Sequence, residues 1–390
     1  MGLGVLRILV VHNSYQQRGG EDSVVESEIA LLRAHGNDVV EYYRSNDELE
    51  GIGRFDSAAQ ALWSRRTTAE LMKLFVEKRP DIIHVHNTFP LVSPSLYWAA
   101  AKARVPVVQT LHNFRLMCLN GLFLRDAQVC EECLGHLPWR GVIRKCYRGD
   151  GAASGVLAAM LTLHRGLRTY RTKVARYIVL NDFCRRKFIE GGLPADLMVI
   201  KPNFVDFSEP ELLSRQGLLF VGRVSAEKGI QTLAEAAALL PHARLRVVGS
   251  GPDNDKFDAL GNVTRLGSLP SVAVRQEMNR ALALVVPSIC YETFGLVIVE
   301  AFASGTPVIA SRIGVLTDLV REGETGICFE PGNAQDLADK IHWALAHPKQ
   351  MAQMGRNARA QYEAEFSAEE NYRLLTKIYV DVLNEYESTR

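Results

Sequence analysis

Glu292 and Glu300 stand eight positions apart in the stretch Pro287-Ser288-Ile289-Cys290-Tyr291-Glu292-Thr293-Phe294-Gly295-Leu296-Val297-Ile298-Val299-Glu300-Ala301. The apolar run just before it, residues 281–286, reads as a buried strand, and the stretch itself leads into a helix expected to start near Thr293. Eight residues at 3.6 per turn is close to two whole turns, so the carboxylates are expected on similar faces. A helix N-terminus leaves N–H groups unpaired and carries a partial positive charge, which suits a phosphate. A ligand with phosphate in its middle and hydroxyls at both ends would fit, and a nucleotide sugar has that layout. The same stretch also reads as an ordinary strand–helix unit with two incidental glutamates.

Positive charge for a phosphate is available at Arg223 and Lys228, in the loop Gly222-Arg223-Val224-Ser225-Ala226-Glu227-Lys228-Gly229. An arginine grips phosphate through a fork of N–H bonds, and a lysine adds a point charge. A second glycine pair, Gly19-Gly20, follows a strand pattern at residues 7–12. It precedes a helical pattern with Val25, Ile29 and Leu32, closed by Gly36. Paired glycines allow close backbone approach to a ligand, and they equally make a tight strand-to-helix turn. A G-x-G-x-x-G fingerprint is absent, so nothing supports a nicotinamide cofactor.

The elements that must position these groups are strands at βα spacing. In the first half they are read at residues 7–12, 81–86, 105–112, 176–180 and 198–200. In the second half they are read at 217–222, 245–249, 262–266, 283–286, 307–310 and 326–329. Helical patterns lie between them, including 68–78, 95–103 and 230–240. A long final one, 369–386, carries Leu374, Ile378, Val382 and Leu383 on one side. Repeated βα units imply parallel sheets with helices on both faces, and ligands bind such sheets at the C-terminal strand ends. The residues at those ends are Asn13, Gly19-Gly20, His86-Asn87, His112-Asn113, Asn181 and Asn203. Two similar α/β domains joined near residue 205 fit the pattern better than one large sheet.

At 390 residues the chain is long enough for two or three domains, each with its own core. The net charge is +1 with Lys and Arg spread along the chain, so no nucleic-acid partner is expected. The first residues pass straight into a strand pattern without a signal-peptide core, and no run is long enough to span a membrane. A cytoplasmic location is expected, and seven cysteines, an odd number, argue against a general disulfide framework.

Taken together, these stretches resemble glycosyltransferase family 4 over nearly the whole chain. Gly222 to Gly229 is similar to the family's G-R-x4-K-G motif, and Glu292 and Glu300 match its E-x7-E pair with the following Phe-Gly. Pro202-Asn203 with Val205-Asp206 is similar to its interdomain segment, although Phe204 stands where glycine is usual. Gly19-Gly20, Asp81-x-x-His84-x-His86 and His112-Asn113 also match. The resemblance implies the GT-B fold: two Rossmann-like, doubly wound parallel-sheet domains facing a central cleft. It implies an acceptor-side domain at 1–205, a nucleotide-sugar domain at 206–368, and a last helix, 369–390, that crosses back. It implies retaining, metal-independent transfer from a nucleotide-diphosphate sugar. Arg223 and Lys228 would stabilise charge growing on the leaving diphosphate. Glu300 would hold the ribose, Glu292 would face the sugar, and His112 would contact the sugar or the reacting centre. Gly19, Gly20, Asn203, Gly222, Thr293, Phe294, Gly295 and Leu296 would complete the donor site. His84 is expected to pack within its strand, with His86 nearer the ligand.

The expected function is sugar transfer to a glycan or lipid-linked acceptor in bacterial surface polysaccharide or glycolipid synthesis. Rival readings are another sugar-nucleotide enzyme of this fold, such as an epimerase, or a non-catalytic nucleotide-sugar sensor. Glu292 as a covalent nucleophile is a further alternative on general grounds. Asp253-Asn254-Asp255 looks like a metal-binding D-x-D but falls in a turn, and the phosphate charge is already covered. Cys118, Cys130, Cys133 and Cys146, spaced C-x11-C-x2-C-x12-C, suit a structural zinc site, with disulfides or unlinked thiols as alternatives. The stretch 155–173 after them is basic and amphipathic. It reads either as a core-packed helix or as peripheral contact with the inner face of a membrane.

Overall fold

The computed structural model describes residues 5–16, 19–207 and 214–388. Gln17 and Arg18 of the first loop, and the last two residues of the final helix, lie outside them. Fourteen strands are present among the described residues: β1 (Arg7–Ser14), β2 (Asp38–Ser45), β3 (Ile82–Val85), β4 (Val107–Thr110), β5 (Leu124–Arg125), β6 (Gln128–Val129), β7 (Arg176–Val179), β8 (Met198–Ile200), β9 (Leu218–Val221), β10 (Leu245–Val248), β11 (Val263–Gly267), β12 (Ala283–Val286), β13 (Val308–Ser311) and β14 (Gly326–Phe329). The chain divides into two compact units. One is Met1–Gly121, Glu131–Pro202 and Asn371–Arg390, and the other is Leu122–Cys130 and Asn203–Glu370.

In the first unit a six-stranded parallel sheet has the order β2-β1-β3-β4-β7-β8. Its inner strands β3 and β4 are buried at every residue, as expected where helices cover both faces. Strand β2 is absent from the sequence reading. It lies at the edge, and Asp38, Glu41 and Arg44 interrupt its apolar residues, so no apolar run marks it. The helix Ala368–Ser388 packs on this sheet through Leu375, Ile378, Tyr379 and Val382, against Ile8, Val10, Ile82, Val108 and Ile178. This stripe takes Leu375 rather than the expected Leu374, because Tyr379 sits on the same side with its hydroxyl on His84.

The second unit's six-stranded parallel sheet has the order β11-β10-β9-β12-β13-β14. Numbered within the unit this is 3-2-1-4-5-6, the dinucleotide-fold order, and its strand order reverses between β9 and β12. In the first unit the reversal falls between β1 and β3. Ligand sites of doubly wound sheets lie at the carboxyl ends of such strand pairs. The residues that follow β9, β12, β1 and β3 are therefore the ones to inspect.

Candidate functional site

In the second unit the loop after β9 carries Arg223 and Lys228, and the loop after β12 carries Ser288 and Glu292. The loops are joined through backbone, since Ile289 N–H donates to Glu227 C=O at 3.0 Å. At Gly229 a Cβ would stand 1.8 Å from Pro287 O, and φ is +72°. Only glycine permits that approach. The contact brings Lys228 Nζ within 2.5 Å of Glu292 Oε1, which also accepts from Ser288 Oγ at 2.8 Å. Burial works against the Glu292 charge, but the Lys228 ammonium and these hydrogen bonds bring its carboxyl below the ordinary value. Burial would likewise lower Lys228, and Glu292 raises it above its ordinary value. Both therefore stay charged.

Helix Leu296–Ala303 begins three residues later than expected. Gly295, at φ +81°, ends the loop in the left-handed region, which a right-handed helix cannot include. Glu292 thus lies in the loop, not on the helix, and its proximity to the phosphate-binding loop comes from the chain path rather than from helical phase. Glu300 is in the helix. Its carboxyl makes no hydrogen bond or ion pair among the described residues, and burial pushes it up to about 7, with Arg275 acting in the opposite direction. Arg223 is exposed and its guanidinium likewise has no partner there. Phe294 is a core residue, edge-on to Phe366. Asn203 Oδ1 is buried without a hydrogen bond.

In the first unit the ends of β1 and β3 carry His12, Asn13, His86 and Asn87. Asn13 and Asn87 bond to each other's backbone, with Asn87 Nδ2 on Asn13 O at 2.8 Å. Asn181 caps the helix Asp182–Glu190 through Cys184 N–H. For these three the loop-cap reading holds. Gly19 N–H donates to Asp22 Oδ2 at 2.8 Å, and Asp22 Oδ1 meets His12 Nε2 at 2.8 Å, so this amide is already engaged. His112, after β4, is buried and 2.9 Å from His86. Burial pushes His112 down to about 3 and His86 well below the usual imidazole range.

The zinc site expected at Cys118, Cys130, Cys133 and Cys146 does not form. Among the described residues no three of these sulfurs lie within 4.8 Å of one another, and all seven cysteines are unbridged. Residues 122–130 belong to the second unit, where a two-residue turn at Asp126-Ala127, both at positive φ, closes the hairpin β5–β6. Phe123 there meets the Tyr291 ring edge-on. Cys118, Cys133 and Cys146 stay with the first unit, held by other means. Cys118 donates to Asn120, Glu132 pairs with Arg144, and Lys187 pairs with Glu131. Among the described residues, the group of three potential ligands within 4.8 Å is instead Glu28, His84 and His86.

Helix Gly151–Gly166 buries Leu157, Met160 and Leu161 in a core cluster with Leu119 and Phe89, so its apolar side faces protein. The segment around it shows that the even-spread reading of charge is wrong. Residues 134–173 carry eight Lys or Arg and one Asp, a net of +7. Among them Leu137, Trp139 and Ile143 are 54%, 56% and 70% exposed. Arg165, Arg168 and Arg171 line one recess, with no carboxylate among its lining residues. No described helix is long and apolar enough to cross a membrane.

Sequence reasoning missed Ser288, Glu28 and Lys201. Glu28 had a legible signal: it stands at helical spacing with Val25 and Leu32, on a face that must be buried. Nothing in the sequence marks Lys201, at the end of β8, as its partner.

Comparison with known proteins adds the following. Residues 10–203 match the family model described as glycosyl transferase 4-like domain, and residues 206–361 match that of glycosyl transferases group 1. The D-inositol 3-phosphate glycosyltransferase of Gordonia bronchialis is 33% identical over 339 residues, 80% of this chain and 69% of that one. The sulfoquinovosyl transferase SQD2 of Arabidopsis thaliana is 32% identical over 152 residues, 37% of this chain and only 30% of the relative's own length. The crystal structure of HepE from Anabaena in complex with UDP and glucose superimposes with a TM-score of 0.69 at 19% identity, covering 96% of this chain and 100% of that one.

Proposed function

The chain belongs to glycosyltransferase family 4 and is a glycosyltransferase of the GT-B fold, and we propose that it transfers a sugar with retention from a nucleotide-diphosphate donor, without a catalytic metal, to a glycan or lipid-linked acceptor. The observation that carries this reading is the pairing of Lys228 with Glu292 at the reversal point of the second sheet, beside an unpartnered Arg223 and an unpartnered Glu300. Arg223 and Lys228 supply the positive charge on which the diphosphate leaves, held in place before the reaction begins. Glu300 accepts from ribose hydroxyls, and Glu292 from hydroxyls of the transferred sugar. His112 has the sugar-contacting role.

In the transfer step the bond from the anomeric carbon to the diphosphate oxygen breaks, and a bond to the acceptor oxygen forms on the same face. The acceptor proton passes to the departing phosphate oxygen. Residues 1–205 form the acceptor-side domain, and the basic segment 134–173 meets an anionic membrane face that carries the lipid-linked acceptor. The setting is the cytoplasmic side of bacterial surface polysaccharide or glycolipid synthesis.

The test is donor turnover by the wild-type protein and Lys228→Ala, after a thermal-shift screen of nucleoside diphosphates that begins with UDP, the ligand of HepE. The variant is expected to lose roughly a hundred- to a thousand-fold in rate. Equal rates in both would remove the phosphate role. Anomeric analysis of the product decides retention.

A further inference from the structure

The first unit holds a buried chain of polar groups that the transfer step does not by itself explain. Lys201 Nζ lies 2.8 Å from Glu28 Oε2 and 3.1 Å from Asn371 Oδ1, and both charged side chains are buried. Glu28 turns its other oxygen towards two histidines. His84 Nδ1 is 3.1 Å from Glu28 Oε1 but is hydrogen-bonded to the Tyr379 hydroxyl at 2.7 Å, and its Nε2 to the Thr110 hydroxyl at 2.8 Å. Glu28 Oε1 and His86 Nε2 remain as two buried atoms without a hydrogen bond, facing each other across 3.6 Å. The other nitrogen of His86, Nδ1, is 2.9 Å from His112 Nε2. Glu28, His84 and His86 also look like a metal-ligand set, but the Lys201 ammonium already balances the carboxylate, and a dication beside it would meet like charge.

Donor counting then fixes the protons. A carboxylate only accepts, and a neutral imidazole has one donor and one acceptor nitrogen. Burial works against the Glu28 charge, yet Lys201, then His84 and His86, hold its carboxyl well below the usual range. Both His86 and His112 are neutral for the reason already given. With the His86 proton on Nε2, facing Glu28, its Nδ1 accepts and His112 must donate from Nε2. The lone pair of His112 is then on Nδ1. The opposite arrangement would set a lone pair of His86 against the ionised Glu28, in a site of low dielectric where that repulsion is strong.

We propose that Glu28 is a positioning residue: through His86 it fixes the tautomer of His112, so that His112 offers Nδ1 as a hydrogen-bond acceptor to a hydroxyl of the transferred sugar. The tautomer follows from this chain's own geometry, whereas its use in transfer rests on the proposed function.

The test uses the full-length chain labelled with 15N-histidine. Long-range 1H–15N spectra report which ring nitrogen is protonated, and loss of peaks in His112→Asn and His86→Asn assigns them. Wild type is expected to show His112 protonated at Nε2. In Glu28→Gln the amide donates to His86 Nε2, and the relay inverts, leaving His112 protonated at Nδ1. A wild-type His112 protonated at Nδ1, or a tautomer unchanged in a folded Glu28→Gln, would overturn the proposal. If that variant does not fold, the wild-type spectrum still decides. In turnover, Glu28→Gln is expected to lower kcat about tenfold, the worth of one hydrogen bond, with little change in donor KM. An inverted tautomer with unchanged kcat would overturn the catalytic half. Spectra as expected in a protein that transfers no sugar would instead count against the proposed function alone.

Discussion

Glu300 is the residue whose charge state should be readable in a binding curve. Its carboxyl is raised to about 7 by burial, and no described side chain compensates it. A carboxyl raised above its unfolded value stabilises the fold while protonated. That contribution is complete below the ordinary range near 4.5 and is lost as pH rises through about 7. Ribose hydroxyls favour the opposite form, because only the carboxylate accepts two hydrogen bonds without donating one. Affinity for an intact nucleotide sugar, whose diphosphate does not titrate near neutrality, should therefore rise with pH. The slope should approach tenfold per unit below about 7 and flatten above it. Calorimetric titration across that range checks this, and Glu300→Gln should give a flat profile. At this scale the sequence revealed identities better than partnerships. Glu292, Glu300, Arg223 and Lys228 are legible from type and spacing. The Ser288 bond to Glu292 and the Lys201 bond to Glu28 are not, because each is made by chain segments whose approach only the fold determines.

Among the elements, the loops after β9 and β12 act as one piece, and their joint is Gly229. An alanine there would need a left-handed φ and would place Cβ on Pro287 O. Gly323, with φ +76° and nothing within 4 Å of a built Cβ, is the matched control for the backbone strain alone. Gly323→Ala should cost about 1–2 kcal/mol. Gly229→Ala should cost more, of the order of 3 kcal/mol or above once the clash is added, and should also reduce turnover by parting Lys228 from Glu292. Denaturant melts of the two variants beside wild type measure the difference. Equal losses, with turnover retained in both, would show that the loop joint is not needed. Elements were legible where burial is symmetric. The six strands of the second unit stand out as continuous apolar runs, while edge strand β2 alternates with charge and does not. The late start of helix Leu296–Ala303 was hidden because Thr293 is a good N-cap by type, and only the positive φ of Gly295 sets the boundary.

For the molecule as a whole the informative quantity is how charge is distributed, not its total. A net charge of +1 conceals the +7 of residues 134–173, which averaging along the sequence erases. Within that segment Trp139 and Ile143 stand one turn apart in a short helix, both more than half exposed, with Arg140 stacked on the Trp139 ring and Arg144 beside Ile143. Exposed aromatic and aliphatic groups among arginines suit the interface of an anionic bilayer, where each basic residue near the surface contributes about 1 kcal/mol. Two contributions should then separate in one experiment. Sedimentation with vesicles containing anionic phospholipid should retain the protein, and vesicles of neutral phosphatidylcholine should not. Raising salt from 0.1 M towards 1 M shortens the screening length from about 10 Å to about 3 Å and should release most of it. A double variant, Trp139→Ala with Ile143→Ser, should bind initially through charge but be released at lower salt, because the apolar anchor is gone. Equal retention on neutral and anionic vesicles, or release of wild type and double variant at the same salt, would refute an interfacial role for this segment. The arginines would then be better read as contacts to a soluble anionic acceptor, which should compete with the vesicles if it uses the same recess.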